Sequence, residues 1–145
     1  MKVLIFAISF FIMSYNSVPN YVLEYHLINT KEKELMFINK YKSSQEASIL
    51  GYVISLEIKQ AKYQFFPWKK LSVFNEGKKK LEQLIKKYPS NTDLRYLRLV
   101  IQENAPVIVN YKSNIISDKK YLSEKLKQVD SSDYLDIYIK KNTSL

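Results

Sequence analysis

Apolar residues recur along most of the chain with the 3.6-residue period of an α-helix. A first helix is predicted to begin at Pro19-Asn20 and to run towards Ile38, with an interruption at Asn29-Thr30. Later stretches keep the same spacing, and no Gly/Ser-rich linker separates them. The predicted later helices cover 47–63, 67–88, 91–104, 117–129 and 131–139. The pattern predicts one all-α domain of antiparallel helical hairpins with five or six helices.

Short polar or proline-containing segments mark the predicted helix ends. Ser43 and Glu46 have the spacing of a capping box, which predicts a helix start at that point. Pro89 ends one helix, and Ser90 or Asn91 caps the next. The apolar run 107–109 is too short to assign to a strand or a helix, and irregular structure is the favoured interpretation.

The first residues have the order of a secretory signal peptide. Lys2 precedes an eleven-residue region, Val3–Met13, that is apolar except at Ser9, and a polar stretch follows it. The apolar run is shorter than the roughly 20 residues that span a bilayer. We therefore predict a signal peptide over 1–17 and an exported all-α domain over 18–145. An uncleaved membrane tether and a buried first helix remain as alternatives.

Composition excludes several classes of protein. With 2 Gly and 4 Pro, the chain has too few turn residues for a barrel or sandwich. It has no Cys, so disulfides and thiolate chemistry are excluded. His26 is the sole histidine, and a zinc site would need unusual partners around it. We predict no cofactor, no metal site and no catalytic residues, although the sequence leaves some catalytic activity open.

The net charge of +9 comes almost entirely from lysine, which outnumbers arginine 21 to 2. Nucleic-acid readers favour Arg, because its planar guanidinium pairs bidentately with guanine and phosphate. A Lys-rich, Arg-poor chain therefore argues against nucleic-acid binding. The run Lys78-Lys79-Lys80 is predicted to be a solvated face, with weak contact to an anionic membrane as the alternative.

One segment combines small, bulky and proline positions in a familiar order. Gly77, Leu81, Leu84 and Pro89 lie at offsets 0, 4, 7 and 12. This spacing resembles the second helix of a tetratricopeptide repeat, where a small residue lets two helices approach closely and Pro ends the helix. The preceding helix lacks the corresponding Trp, Leu-Gly and Tyr positions. The resemblance implies stacked helical hairpins, and peptide binding much less.

The stretch from Leu94 to Lys119 is more distinctive. It contains Leu94–Pro106, then Asn110–Ile115 and Asp118-Lys119. Together with the predicted signal peptide, it resembles a family of small exported bacterial proteins from about Ala61 to Lys140. The resemblance implies a compact helical fold and export, and it brings no activity with it.

The two arginines form the first candidate site. Arg95 and Arg98 lie one helical turn apart, and polar residues follow them in an irregular segment. One hypothesis is a pocket for a small anion or a peptide carboxylate. The favoured interpretation is structural, with the arginines holding the 105–117 loop through its carbonyls and through Asp118. The candidate ligand-binding residues are Arg95, Arg98, Asn104, Tyr111, Asn114 and Asp118.

The densest aromatic segment is the second candidate. Phe65, Phe66 and Trp68 surround Pro67 where one predicted helix ends and the next begins. Exposed aromatic side chains would supply a rigid anchor for a partner. The favoured interpretation is a corner plug between two helices.

These observations favour a noncatalytic interaction or scaffolding protein of the bacterial cell envelope, in or near the periplasm, that holds a protein partner. The alternative function is an envelope enzyme or small-ligand binder centred on Arg95 and Arg98. The sequence predicts neither the identity of the partner nor the oligomeric state.

Overall fold

The structure, a computed structural model, describes residues 17–145. Every regular element in this range is a helix, which confirms the predicted all-α class. Apart from Ser17, the predicted signal peptide lies outside the described residues. Between Ser17 and Leu145, none of the helices has the length and apolar character needed to cross a bilayer.

Seven α-helices and three short 3-10 segments make up the described range. The 3-10 segments are Gln60–Tyr63, Val107–Val109 and Asp133–Leu135. The helices are α1 (Asn20–His26), α2 (Lys31–Tyr41), α3 (Ala47–Lys59), α4 (Pro67–Lys87), α5 (Thr92–Asn104), α6 (Ile115–Lys125) and α7 (Asp136–Asn142). The count exceeds the predicted five or six because the first segment divides at Thr30, whose hydroxyl accepts a hydrogen bond from the Lys33 amide and caps α2.

Helix α3 lies at the centre of the molecule and is buried on every side from Gly51 to Leu56. It packs against α4 through Gly77, where an added Cβ would overlap the side chain of Ile58. It packs against α5 through Gly51, where an added Cβ would overlap Leu94. Glycine therefore sets both close helix contacts. At Gly77 this is the role that the spacing of 77–89 predicts, although the repeat resemblance itself stays a prediction.

Two buried clusters share α3 between them. One surrounds Tyr52 and Leu56 and joins α1, α2, α5, α6 and the C-terminal segment. The other surrounds Ile54 and Ile58 and joins α4, the start of α5 and the loop after it, including Tyr111. Because opposite sides of α3 face the two clusters, the helix has no solvent-facing side between Gly51 and Leu56.

The predicted bounds of α4 and α5 agree with the structure to within one residue at both ends, and the bounds of the other helices differ more widely. Helix α3 begins at Ala47, and Ser44 rather than Ser43 accepts a hydrogen bond from the Glu46 amide, so the predicted capping box is wrong. Segment 107–109 forms a 3-10 turn that ends at Asn110 in the left-handed region. Helix α6 begins at Ile115 rather than at 117 and ends at Lys125, which leaves Val129 outside it and exposed. The last helix, α7, begins at Asp136 after a 3-10 turn rather than at 131.

Candidate functional site

Arg98 and Asp118 form a buried, two-pronged ion pair between α5 and α6. The Arg98 Nε donates to Asp118 Oδ2 at 2.6 Å, and Nη2 donates to Oδ1 at 2.8 Å. Arg98 is 4% exposed and Asp118 is 0% exposed. Only the planar guanidinium can make both bonds at once, which explains an arginine in a chain where lysine is the usual cation.

Further polar groups extend this pair in both directions. Arg95 donates from Nη1 to Asp118 Oδ1 at 2.9 Å and from Nε to the Pro89 carbonyl at 3.0 Å. Arg98 Nη1 donates to Glu82 on α4 at 2.9 Å, and the Tyr111 hydroxyl donates to the other oxygen of Glu82. We call these five side chains the ion network: Glu82, Arg95, Arg98, Tyr111 and Asp118.

The ion network leaves little capacity for an added anion. Every guanidinium nitrogen of Arg98 already donates to a carboxylate. Burial opposes ionisation of Arg98, but its hydrogen bonds with Asp118 and its attraction to both carboxylates raise the pKa above the ordinary value. Burial and the bond to Glu82 raise the pKa of Tyr111, so its hydroxyl stays protonated and donates. An incoming anion would have to displace a buried carboxylate.

The structure divides the predicted ligand-binding residues. Arg95, Arg98, Tyr111 and Asp118 meet in the ion network. Asn104 donates to the Val100 carbonyl within its own helix at 2.8 Å. Asn114 accepts from Gln102 at 3.2 Å, so neither asparagine contacts the arginines.

Glu82 is the member of the ion network that sequence reasoning missed. It lies next to the buried Leu81 on α4, among lysines, and nothing in its spacing separates it from the other glutamates. Its role depends on how α4 and α5 cross, which the sequence does not encode locally.

Phe65, Phe66, Trp68 and Leu71 form a second notable surface, which we call the aromatic corner. The rings of Phe66 and Trp68 stack with centroids 4.6 Å apart, and Phe65 meets Phe66 edge-on at 5.0 Å. Phe65 is 87% exposed and Trp68 is 64% exposed. The favoured sequence interpretation, a plug between two helices, is therefore wrong. These rings contact mainly each other, and Phe65 and Trp68 are mostly exposed to solvent.

Asp93 occupies a polar cleft that sequence reasoning also missed. Its carboxylate accepts from Tyr52 at 3.0 Å, Tyr134 at 2.8 Å and Ser48 at 2.9 Å, with no cation paired to it within residues 17–145. Burial, followed by the Asp93 charge, raises the pKa of both tyrosines and keeps them as donors. The other cleft residues are Ser90, Asn91, Thr92, Lys125, Asp130, Ser131 and Ser132. These contacts join α3, α5 and the 3-10 turn before α7.

His26 packs as an aromatic side chain. Its ring stacks on Tyr138 at 3.8 Å, and burial together with the charge of Lys141 lowers its pKa to about 4. Its Nε2 atom is buried with no hydrogen-bond partner. In the described part of the chain, no group of three potential metal ligands comes together.

The lysine run on α4 is partly engaged within the protein. Lys80 pairs with Glu57 at 2.9 Å and with Glu76 at 3.3 Å. Lys78 lies over the Tyr111 ring at 4.9 Å. The predicted weak membrane contact through Lys78, Lys79 and Lys80 stays a prediction.

No family model, curated protein or solved structure matches this chain.

Proposed function

We propose that this protein is a noncatalytic interaction or scaffolding protein, exported to the bacterial cell envelope, that uses the aromatic corner as its contact surface. The observation that carries the proposal is the exposure of Phe65 and Trp68 beside two further exposed apolar side chains. Exposing such a cluster to water is unfavourable. Contiguous exposed apolar surface therefore marks interaction sites in soluble proteins.

The sequence of the first residues supports export. Lys2 and the apolar run Val3–Met13 have the order and length of a signal peptide. The absence of cysteine is compatible with export, because helix packing replaces disulfides in the buried clusters.

The contacts of the arginines favour this function over binding of a small anion. A ligand at Arg98 would compete with Asp118 and Glu82, both already within hydrogen-bonding distance. Breaking one side of a buried pair costs about 3–5 kcal/mol, which a weakly bound small anion would have to supply. The aromatic corner is exposed before any partner arrives.

Binding to an isolated envelope fraction tests the proposal. The purified full chain is mixed with the fraction from its own cells and sedimented. Phe65→Ser/Trp68→Ser is compared with Val107→Ser/Ile108→Ser, since Val107 and Ile108 are 83% and 84% exposed. All versions keep residues 1–16, so any binding through that segment is common to them.

We expect the wild type and the 107/108 control to sediment with the envelope and the corner variant to lose most of this binding. Equal sedimentation of the two variants, or no binding by the wild type, would overturn the proposal.

A further inference from the structure

Eight consecutive exposed residues, 65–72, surround the start of α4. Successive helix positions point 100° apart, so positions 67–72 cover the full circumference of the helix. This first turn and a half therefore meets solvent on every side, while the buried face of α4 begins only at Phe74. The aromatic corner protrudes from the molecule and is not a groove.

The charged residues that flank the aromatic corner in the sequence have one sign. No acidic residue occurs between Glu57 and Glu76, and four lysines do. Two of them, Lys59 and Lys62, pair with the buried Glu34 at 2.9 Å and 3.3 Å.

The remaining two lysines adjoin the aromatic rings. Lys69 and Lys70 have no carboxylate within ion-pair distance in residues 17–145. The Lys69 ammonium lies 5.7 Å from the centroid of the Phe66 ring. Unpaired positive charge and exposed aromatic surface thus occupy the same protrusion.

This combination fits a lipid surface better than a protein surface. The cores of protein–protein interfaces are enriched in arginine and depleted in lysine, and both arginines of this chain lie in the ion network. Membrane interfaces favour Trp at the headgroup level and Lys, whose long stem lets its ammonium reach the phosphates. A protruding surface can enter a bilayer interface, whereas a protein partner would need a complementary cavity.

We propose that the aromatic corner docks on an anionic lipid bilayer, with Phe65 and Trp68 entering the interface and Lys69 and Lys70 facing the lipid phosphates. This inference rests on the proposed function, because it names the partner of that same surface. The sequence alone favours a protein partner, and the lysines beside the rings favour lipid.

Trp68 is the sole tryptophan of the chain and therefore reports directly on the proposed contact. The full-length protein is titrated with vesicles of equal parts phosphatidylglycerol and phosphatidylcholine, and separately with phosphatidylcholine alone. We expect the Trp68 emission to shift to the blue and to become protected from acrylamide only with the anionic vesicles. High salt should reverse the shift, because it screens the lysines.

Charge variants test where the attraction arises. Each lysine near an anionic surface strengthens binding about fivefold, so Lys69→Gln/Lys70→Gln should weaken vesicle binding about 25-fold. The matched control is Lys86→Gln/Lys87→Gln, which removes the same charge from the other end of α4, about 25 Å away. Lys86 and Lys87 are exposed as well, and we expect the control to bind within a few-fold of the wild type.

An apolar variant tests whether the rings enter the interface. Phe65→Ser keeps the Trp68 reporter and should weaken binding about tenfold, since it removes an exposed apolar side chain that the lipid would cover. Val107→Ser/Ile108→Ser is again the control and should leave binding unchanged.

Several outcomes would overturn the lipid assignment. These are an unchanged Trp68 emission in anionic vesicles, equal shifts with neutral vesicles, or equal weakening by the two lysine variants. If sedimentation with the envelope still depends on Phe65 and Trp68 while the Trp68 emission is unchanged with both kinds of vesicle, the proposed function stands and the partner is an envelope component other than these lipids. If that dependence is also absent, both proposals fail.

Discussion

The ion network contains both arginines of the chain and the aromatic corner contains its one tryptophan, and these rare side chains lie in opposite environments. Both arginines turn inward, where Asp118 and Glu82 satisfy them. The only tryptophan turns outward, beside Phe66 and away from both buried clusters. Helix α4 contributes to both regions, with Trp68 near its start and Glu82 near its end.

The difference shows that a rare residue type marks a position with a specific need, but the sequence alone does not say whether the fold or a partner sets that need. Arg98 is needed because no other cation can fill a two-pronged site between α5 and α6. The aromatic corner meets no comparable requirement within the described fold, since Phe65 and Trp68 are mostly exposed to water. A costly feature with no internal use points to a partner outside the molecule.

The largest effect is expected from Asp118→Asn. This change leaves the buried Arg98 with Glu82 as its sole carboxylate partner among residues 17–145, and it also removes the charge facing Arg95. Breaking one side of a buried pair destabilises by about 3–5 kcal/mol. Urea denaturation monitored by circular dichroism should show that loss.

Glu32→Gln is the matched control for Asp118→Asn. Glu32 is exposed and lies in the first turn of α2. The free energy of unfolding of Glu32→Gln should lie within about 0.5 kcal/mol of the wild-type value. A similar small effect of Asp118→Asn would show that the ion network does not hold the fold together.

Sequence reasoning named four of the five members of this network, Arg95, Arg98, Tyr111 and Asp118, and missed Glu82. Arg95 and Arg98 share a helix face by spacing alone, and Asp118 was a nearby acid in the structural interpretation. Glu82 reaches the network from α4, whose angle to α5 depends on many contacts at once. The helices were predictable because their periodicity and caps are local, as with Asn91, whose side chain accepts from the Leu94 amide.

The aromatic corner shows the converse limit. A run of Phe and Trp beside Pro67 correctly predicts a helix boundary, because that is local chemistry. Whether the rings face inward depends on where the next helices pack. The same long-range dependence hid Asp93, which as a sequence position resembles any acid in the first turn of a helix.

A smaller effect is expected from Tyr111→Phe, which tests the outer part of the ion network. The ring can stay packed near Phe74, at 6.1 Å between centroids, while the bond to Glu82 is lost. We expect a loss of about 1.5–3 kcal/mol in urea denaturation, the range for a hydrogen bond to a charged group. Tyr88→Phe, at an exposed tyrosine, should change stability far less. Equal losses of unfolding free energy in the two variants would show that the bond from Tyr111 to Glu82 does not stabilise the fold.

Arg95→Lys should lower the free energy of unfolding by less than Tyr111→Phe does. Lysine retains the charge beside Asp118 and loses the bond to the Pro89 carbonyl, and Arg95 is partly exposed. We expect a loss below about 1 kcal/mol, the range for partly solvated pairs. A loss as large as that of Asp118→Asn would mean that both arginines need the planar guanidinium, and that the ion network is a single unit.

The smallest effect on stability is expected from Phe65→Ser/Trp68→Ser. These side chains are 87% and 64% exposed, so their removal should change the free energy of unfolding by no more than about 0.5 kcal/mol. Because this variant lacks the tryptophan of the chain, its unfolding in urea is followed by circular dichroism rather than by fluorescence. A loss of 2 kcal/mol or more would restore the interpretation as a corner plug. Unchanged stability combined with lost envelope binding is the outcome that the comparison requires, because a surface that the fold does not use can be removed without harming the fold.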